Sequence, residues 1–160
     1  MKKIDTLRAA IVAATPELAQ QPARLRMWVD RGTVEARQTE SGSFAYAFRL
    51  NVLIMELATD VSVISDAIIR WLRVNQPDRL APGNTAFTFD VDILDNRTVD
   101  LLIEVEVTQS VEVAPKEGGG FTLTDIDEPN PLFDDHLGLG GAAPVPALSG
   151  IQLGGQDVEL

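Results

Sequence analysis

Residues 44–77 constrain the fold more than any other stretch, because two different periodicities meet there across a short polar break. From Phe44 to Leu57 the even positions Phe44, Tyr46, Phe48, Leu50, Val52 and Ile54 are apolar. Arg49 and Asn51 occupy odd positions, followed by Leu53, Met55 and Leu57. Period two predicts a strand with one buried face. Its far end, apolar on both faces, predicts a central strand covered on both sides. Thr59-Asp60 is a helix N-cap signal, and Val61, Ile64, Ile68, Trp71 and Leu72 follow at helical spacing. Arg70 and Arg73 fall near the C-terminal end, where the helix dipole favours cations, and Pro77 stops the helix. A strand feeding straight into an amphipathic helix predicts a sheet with a helix laid on it.

The flanking segments extend that layer. Ile4 to Gln20 reads as a helix from Ile4, Leu7, Ala10, Ile11, Ala14 and Leu18, with Thr15-Pro16 as a break or kink. Arg24 to Val29 alternates, with Leu25, Met27 and Val29 on one side and Arg24, Arg26 and Trp28 on the other. Asp30-Arg31-Gly32 is a turn signal, so residues 33–38 are expected to return as the second strand of a hairpin. The clearest antiparallel hairpin is 87–107, where Phe87, Phe89, Val91 and Ile93 are expected to face inward with Val99, Leu101, Ile103 and Val105. Asp90, Asp92, Asp100, Glu104 and Glu106 then form the opposite, acidic face. Val111, Val113, Phe121 and Leu123, around Gly118-Gly119-Gly120, predict a smaller hairpin. The fold class expected is α+β: an antiparallel-rich sheet with helices 4–20 and 61–75 on one face.

Composition changes after Ile126. Residues 127–160 hold Pro129, Pro131, Pro144 and Pro146, several glycines, and no Lys or Arg. Yet Leu132, Phe133, Leu137, Leu139 and Leu148 make the segment too apolar for an idle tail. Residues 1–126 are therefore expected to form the domain, and 127–160 an extended arm that lies along its own domain or a neighbour. Charge is equally uneven: residues 1–80 carry a net +2 and residues 81–160 a net −13. That balance argues against wrapping nucleic acid, which needs a basic surface, and suits head-to-tail contact between copies. No run of 18 apolar residues predicts a membrane span, and Lys2-Lys3 is not followed by the apolar run of a signal peptide; a cytosolic site of synthesis is expected.

No catalytic constellation emerges. The chain has no cysteine, which excludes thiol catalysis, disulfides and Cys-ligated zinc. The only histidine, His136, lies in the irregular arm beside Asp134 and Asp135. Asp90, Asp92, Asp95 and Asp100 lack the spacing and the glycine of a calcium loop, and strand alternation explains the first two. Lys116 and Glu117 precede the triple glycine, but the Lys-Ser/Thr of a phosphate loop does not follow it. No metal, cofactor or enzymatic activity is expected.

Several stretches together resemble the phage tail completion protein R family of peduovirus-type contractile-tailed phages. They are residues 5–8, Asp-Thr-Leu-Arg; 25–32, Leu-Arg-Met-Trp-Val-Asp-Arg-Gly; and 46–52, Tyr-Ala-Phe-Arg-Leu-Asn-Val. Residues 71–78, Trp-Leu-Arg-Val-Asn-Gln-Pro-Asp, are the best of them; Phe87-Thr88-Phe89 and Asp125-Ile126-Asp127-Glu128-Pro129 complete the set. The similarity runs from Met1 to Asn130, and the Gly-rich end from Leu132 departs from it. The resemblance implies a structural virion protein, a tail terminator that caps the head-proximal end of the finished tail. It implies a ring, usually six-fold, seated on the last tube ring and helping to join tail to neck and capsid; R-type pyocins use similar caps. The implied partners are further copies, the tail tube protein, and sheath and neck or connector proteins, with DNA as passing cargo. Assembly would take place in the host cytoplasm. The family brings no catalytic residues.

Two surfaces are the expected sites. A subunit or partner interface is expected at Arg24, Arg26, Trp28, Arg49, Arg70, Arg73, Leu132 and Phe133. The competing reading of Trp28 is an aromatic ring covered by arginine stems. An acidic face of Asp90, Asp92, Asp100, Glu104 and Glu106 is expected to line a lumen or a subunit boundary. The alternatives are another tube or neck component, or an enzymatic or small-ligand α+β domain.

Overall fold

A computed structural model describes residues 1–38, 42–95, 97–128, 151–153 and 156–158. The chain divides into two compact units, Met1–Asn130 and Pro131–Leu160.

In the first unit, Pro16 divides the expected first helix into α1 (Lys2–Ala14) and α2 (Pro16–Gln20). Thr15 between them is extended rather than helical, as a residue before proline tends to be. A single 3₁₀ turn, Pro22–Arg24, leads into β1 (Leu25–Ala36). Strand β1 corrects the expected hairpin over residues 24–38. It runs unbroken along β2 (Phe44–Leu57), from Leu25 opposite Ile54 to Ala36 opposite Phe44. Asp30-Arg31-Gly32 is a register shift between Val29 and Arg31 rather than a turn. An extra residue absorbed as a bulge gives the same polar and glycine signal as a two-residue turn.

Asp60 caps α3 (Val61–Asn75), its carboxylate accepting from the Ser62 amide at 2.7 Å. Bonds from Ser62 hold the Asp60 carboxyl below the usual carboxylate range. Pro77 begins a 3₁₀ turn, Pro77–Leu80. The acidic hairpin follows as β3 (Thr88–Ile93) and β4 (Val99–Pro115), and β5 (Phe121–Asp125) folds back on the end of β4. At the β3–β4 turn, Asp95 accepts from the Arg97 and Thr98 amides, both at 2.7 Å, and these bonds lower its pKa. The fold is α+β: a five-stranded antiparallel sheet in the order β1-β2-β4-β3, with β5 paired to β4.

One face of the sheet carries the helices. The core joins Leu7, Ile11 and Leu18 with Ile64, Ile68, Trp71 and Leu72 from the helices. Below them lie Phe48, Leu50, Val52 and Ile54 of β2 and Leu101, Ile103, Val105 and Val107 of β4. Leu57 joins this core although it sits at an odd position. The register shift between Ile54 and Leu57, with Glu56 at φ 50°, turns it inward.

Two expectations about faces are corrected. The end of β2 is not covered on both sides: Leu53 and Met55 remain half-exposed on the helix-free face. On β3, Phe89, Val91 and Ile93 point to the helix side, but none of the described helices covers them, and Phe89 and Ile93 are 55% and 74% exposed. Only Phe87, just before the strand, packs against the core.

Between β3 and β5 the edge of β4 has no strand partner among the described residues. Side chains and one amide serve it instead. Gln76 Oε1 accepts from the Thr108 amide (3.1 Å), Lys3 Nζ donates to the Thr108 carbonyl (2.7 Å), and the Ile126 amide donates to the Ser110 carbonyl (2.9 Å). Lys3, only 3% exposed, also donates to Gln76 Oε1 (3.2 Å) and pairs with Glu128 (2.6 Å). Gln76 Nε2 donates to Thr108 Oγ1 and Asp78 Oδ1. Gln109 Oε1 accepts from the Lys3 amide, and its Nε2 donates to the Ile126 carbonyl. The chain just past Ile126 is thereby tied to α1, with Asp127 also paired to Lys2.

In the second unit, β6 (Ile151–Leu153) pairs antiparallel with β7 (Gln156–Val158). The remainder of the expected arm, Leu132 and Phe133 included, lies outside the described residues.

Candidate functional site

The helix-free face of the sheet gathers most of the expected site residues. Residues paired across antiparallel strands point to the same side, so the register can be read in rows. One row runs Arg26–Leu53–Leu102–Asp90 from β1 to β3. The next runs Trp28–Asn51–Glu104–Thr88, and beyond it Arg49 stands opposite Glu106. Asp92 stands opposite Asp100 on the other flank. The face thus carries charge at both ends, basic Arg26 and Arg31 on the β1 edge and acidic Asp90 and Asp92 on the β3 edge, with half-exposed Leu53 and Leu102 between them.

Its centre is an ion-pair cluster. Arg49 Nε donates to Glu106 at 2.9 Å, and its guanidinium lies 3.7 Å from Glu104. The hydrogen bond to Glu106, then the charges of Glu104 and Glu106, raise the Arg49 pKa above its ordinary value. The residues sharing this depression include Arg79, Thr85, Phe87 and Thr88. Buried Asn51, two residues along β2 from Arg49 and opposite Glu104, has an amide nitrogen with no protein partner. An unpaired buried amide donor costs about 1–3 kcal/mol, because it has given up water without gaining an acceptor.

The structure redistributes the expected residues. Arg49, expected at a subunit or partner interface, pairs with Glu104 and Glu106 of its own sheet. Asp100 is also engaged internally: its Oδ1 accepts from the Glu56 amide at 2.7 Å, holding the strained bulge of β2. Arg24 pairs with Glu56 at 2.6 Å and donates to the Glu56 carbonyl. Arg70 and Arg73 lie on α3, on the opposite side of the sheet from this face, with Arg70 paired to Asp66 at 2.7 Å. Arg26, Trp28, Asp90 and Asp92 remain on exposed edges, Trp28 being 43% exposed. Among the described residues, no cluster of three His, Cys, Asp or Glu is placed to hold a metal ion. No helix among the described residues is long and apolar enough to cross a membrane.

Sequence reasoning missed the buried polar node of Lys3, Gln76, Gln109 and Glu128. Two of its four residues lie in stretches that carry the family resemblance, Gln76 in Gln76-Pro77-Asp78 and Glu128 in residues 125–129. Also missed were the uncovered apolar residues of the edge strands. Beyond β3 they include Val29 and Val34 on β1 and Phe121 and Leu123 on β5.

Comparison with known proteins adds to this geometry. The model of the family described as P2 phage tail completion protein R (GpR) matches residues 1–129, the whole sheet-and-helix unit but its last residue. Tail completion protein R of Escherichia phage P2 is 31% identical over 134 residues, covering 82% of this chain and 86% of that protein. No solved structure matches.

Proposed function

The chain belongs to the P2 phage tail completion protein R family, and from that premise we propose that it caps the head-proximal end of a contractile tail as a ring. It is a structural protein of the phage tail. The observation that carries the reading is the extent of the match: residues 1–129 take in every helix of the first unit and all five strands of its sheet.

The ring is six-fold, sits on the last ring of tube protein, and offers its other side to neck or connector proteins, with sheath nearby. DNA passes through and is not retained. The helix-free face suits a lumen or a subunit boundary. Its central cation, Arg49, is already held by two carboxylates, so a passing phosphate meets paired charge rather than a bare guanidinium. The particle is completed in the host cytoplasm, and the protein resides in the tail of the virion.

Loss of the chain tests this. Electron microscopy of lysates from a strain lacking it should show tails without heads beside full heads without tails, with infectious titre reduced by orders of magnitude. Normal virions would contradict the proposal. Absence of tubes altogether would point instead to a tube component.

A further inference from the structure

We infer that the two edges of the sheet dock on one another in successive copies, the N-terminal half of β1 (Leu25–Val29) pairing antiparallel with β3 (Thr88–Ile93) of the next copy. This rests on the ring reading above and names the surface that would build the ring.

Strand direction comes first. All pairings within the sheet are antiparallel, and the path from edge to edge counts four strands, an even number, so its two edge strands run in opposite directions. A second copy placed beside the first by rotation alone therefore brings its β3 antiparallel to β1, with like faces aligned. Both edges have a free row of backbone donors and acceptors among the described residues. Such rows are templates for pairing unless something blocks them.

Chemistry on the two faces then selects which edges meet. On the helix-free face, Arg26 is the one charged residue of Leu25–Val29, while Asp90 and Asp92 are the charged residues of β3. The shared row Arg26–Leu53–Leu102–Asp90 puts the cation of one edge level with the first carboxylate of the other. On the helix side, the row Met27–Val52–Ile103–Phe89 puts half-buried Met27 level with exposed Phe89. Val91 and Ile93 flank Phe89, and Val29 flanks Met27, all left uncovered in the single chain.

Like edges do the reverse. Pairing β3 with β3 sets Asp90 and Asp92 against carboxylates, and pairing β1 with β1 sets Arg26 against Arg26. Like charges opposed across strands are unfavourable, so the unlike pairing is selected. A contact between two different patches is heterologous, and repeated by rotation it closes a ring.

The chain has no cysteine, so introduced thiols report cleanly. Arg26→Cys and Asp90→Cys place one thiol on each edge at exposed positions. A second pair, Arg26→Cys with Asp92→Cys, allows for the two-residue stagger that closing a sheet imposes. Each full-length variant is checked for an unchanged melting curve, then oxidised both free in solution and in assembled tails. In at least one pair, mixing the two single variants should give covalent dimers about tenfold above either variant alone, the ratio for about 1.4 kcal/mol of preference. The matching double variant should give a ladder of covalent oligomers. Dimers from a single variant alone, or no ladder from either double variant, would overturn the edge pairing. Variants that do not cross-link but restore infectious titre would refute the pairing and spare tail completion. A ladder from a chain whose loss leaves virions normal would refute tail completion and spare the pairing.

Discussion

Replacing Lys3 by methionine should lower stability by about 3 kcal/mol, whereas the same change at Lys2 should cost less than about 1 kcal/mol. The two lysines are neighbours, and each makes a 2.6 Å ion pair with a neighbouring carboxylate, Lys2 with Asp127 and Lys3 with Glu128. Burial separates them. The Lys2 and Asp127 side chains are 48% and 71% exposed, so water screens and replaces that pair. Lys3 is enclosed and donates to three acceptors at once, Gln76 Oε1, the Thr108 carbonyl and Glu128. Methionine fills the space but leaves all three oxygens without that donor, two of them in the gap at the edge of β4. Thermal unfolding should show a midpoint roughly 10 °C lower for Lys3→Met and almost no change for Lys2→Met. Equal effects would mean that the buried node contributes no more than a surface pair.

A second large effect separates residues that look alike in sequence. Ile103 and Phe89 both occupy apolar positions of the same hairpin and stand opposite one another. Ile103 is buried at the centre of β4 beneath the helices, and its truncation to alanine should cost about 2–5 kcal/mol through lost burial and the cavity left behind. Phe89→Ala should cost less than about 1 kcal/mol in the isolated chain, since more than half of that residue is already in water. Its effect should appear in assembly instead. Denaturant unfolding of both variants gives the comparison; a Phe89→Ala penalty matching that of Ile103→Ala would place β3 within the core after all.

That pair also marks how far the sequence could be read. Period two located β2, β3 and β4, and the Asp60 cap and Pro77 bracketed α3 closely, because those signals are local. Whether an apolar strand face is covered is not local. It depends on where two helices lie over the sheet, and the alternation of Phe89, Val91 and Ile93 is the same whether or not a helix reaches them. Lys3 was opaque for a related reason: the groups that make its burial tolerable, Gln76, Thr108 and Glu128, come from distant parts of the chain. Asp30-Arg31-Gly32 failed differently, since a bulge and a turn use the same residue types. Of the candidate site, the acidic and basic residues were legible as types. Their arrangement on one face, with Arg49 spent on its own Glu104 and Glu106, needed the register of three strands.

The central claim is that this chain closes the head-proximal end of a contractile tail. Cryo-electron microscopy of assembled particles, with this chain located by fitting its sheet-and-helix unit, tests it most directly. The account predicts one ring of copies between the last tube ring and the neck, and none elsewhere along the tail. Copies repeated along the length of the tube, or no density at that junction, would contradict it.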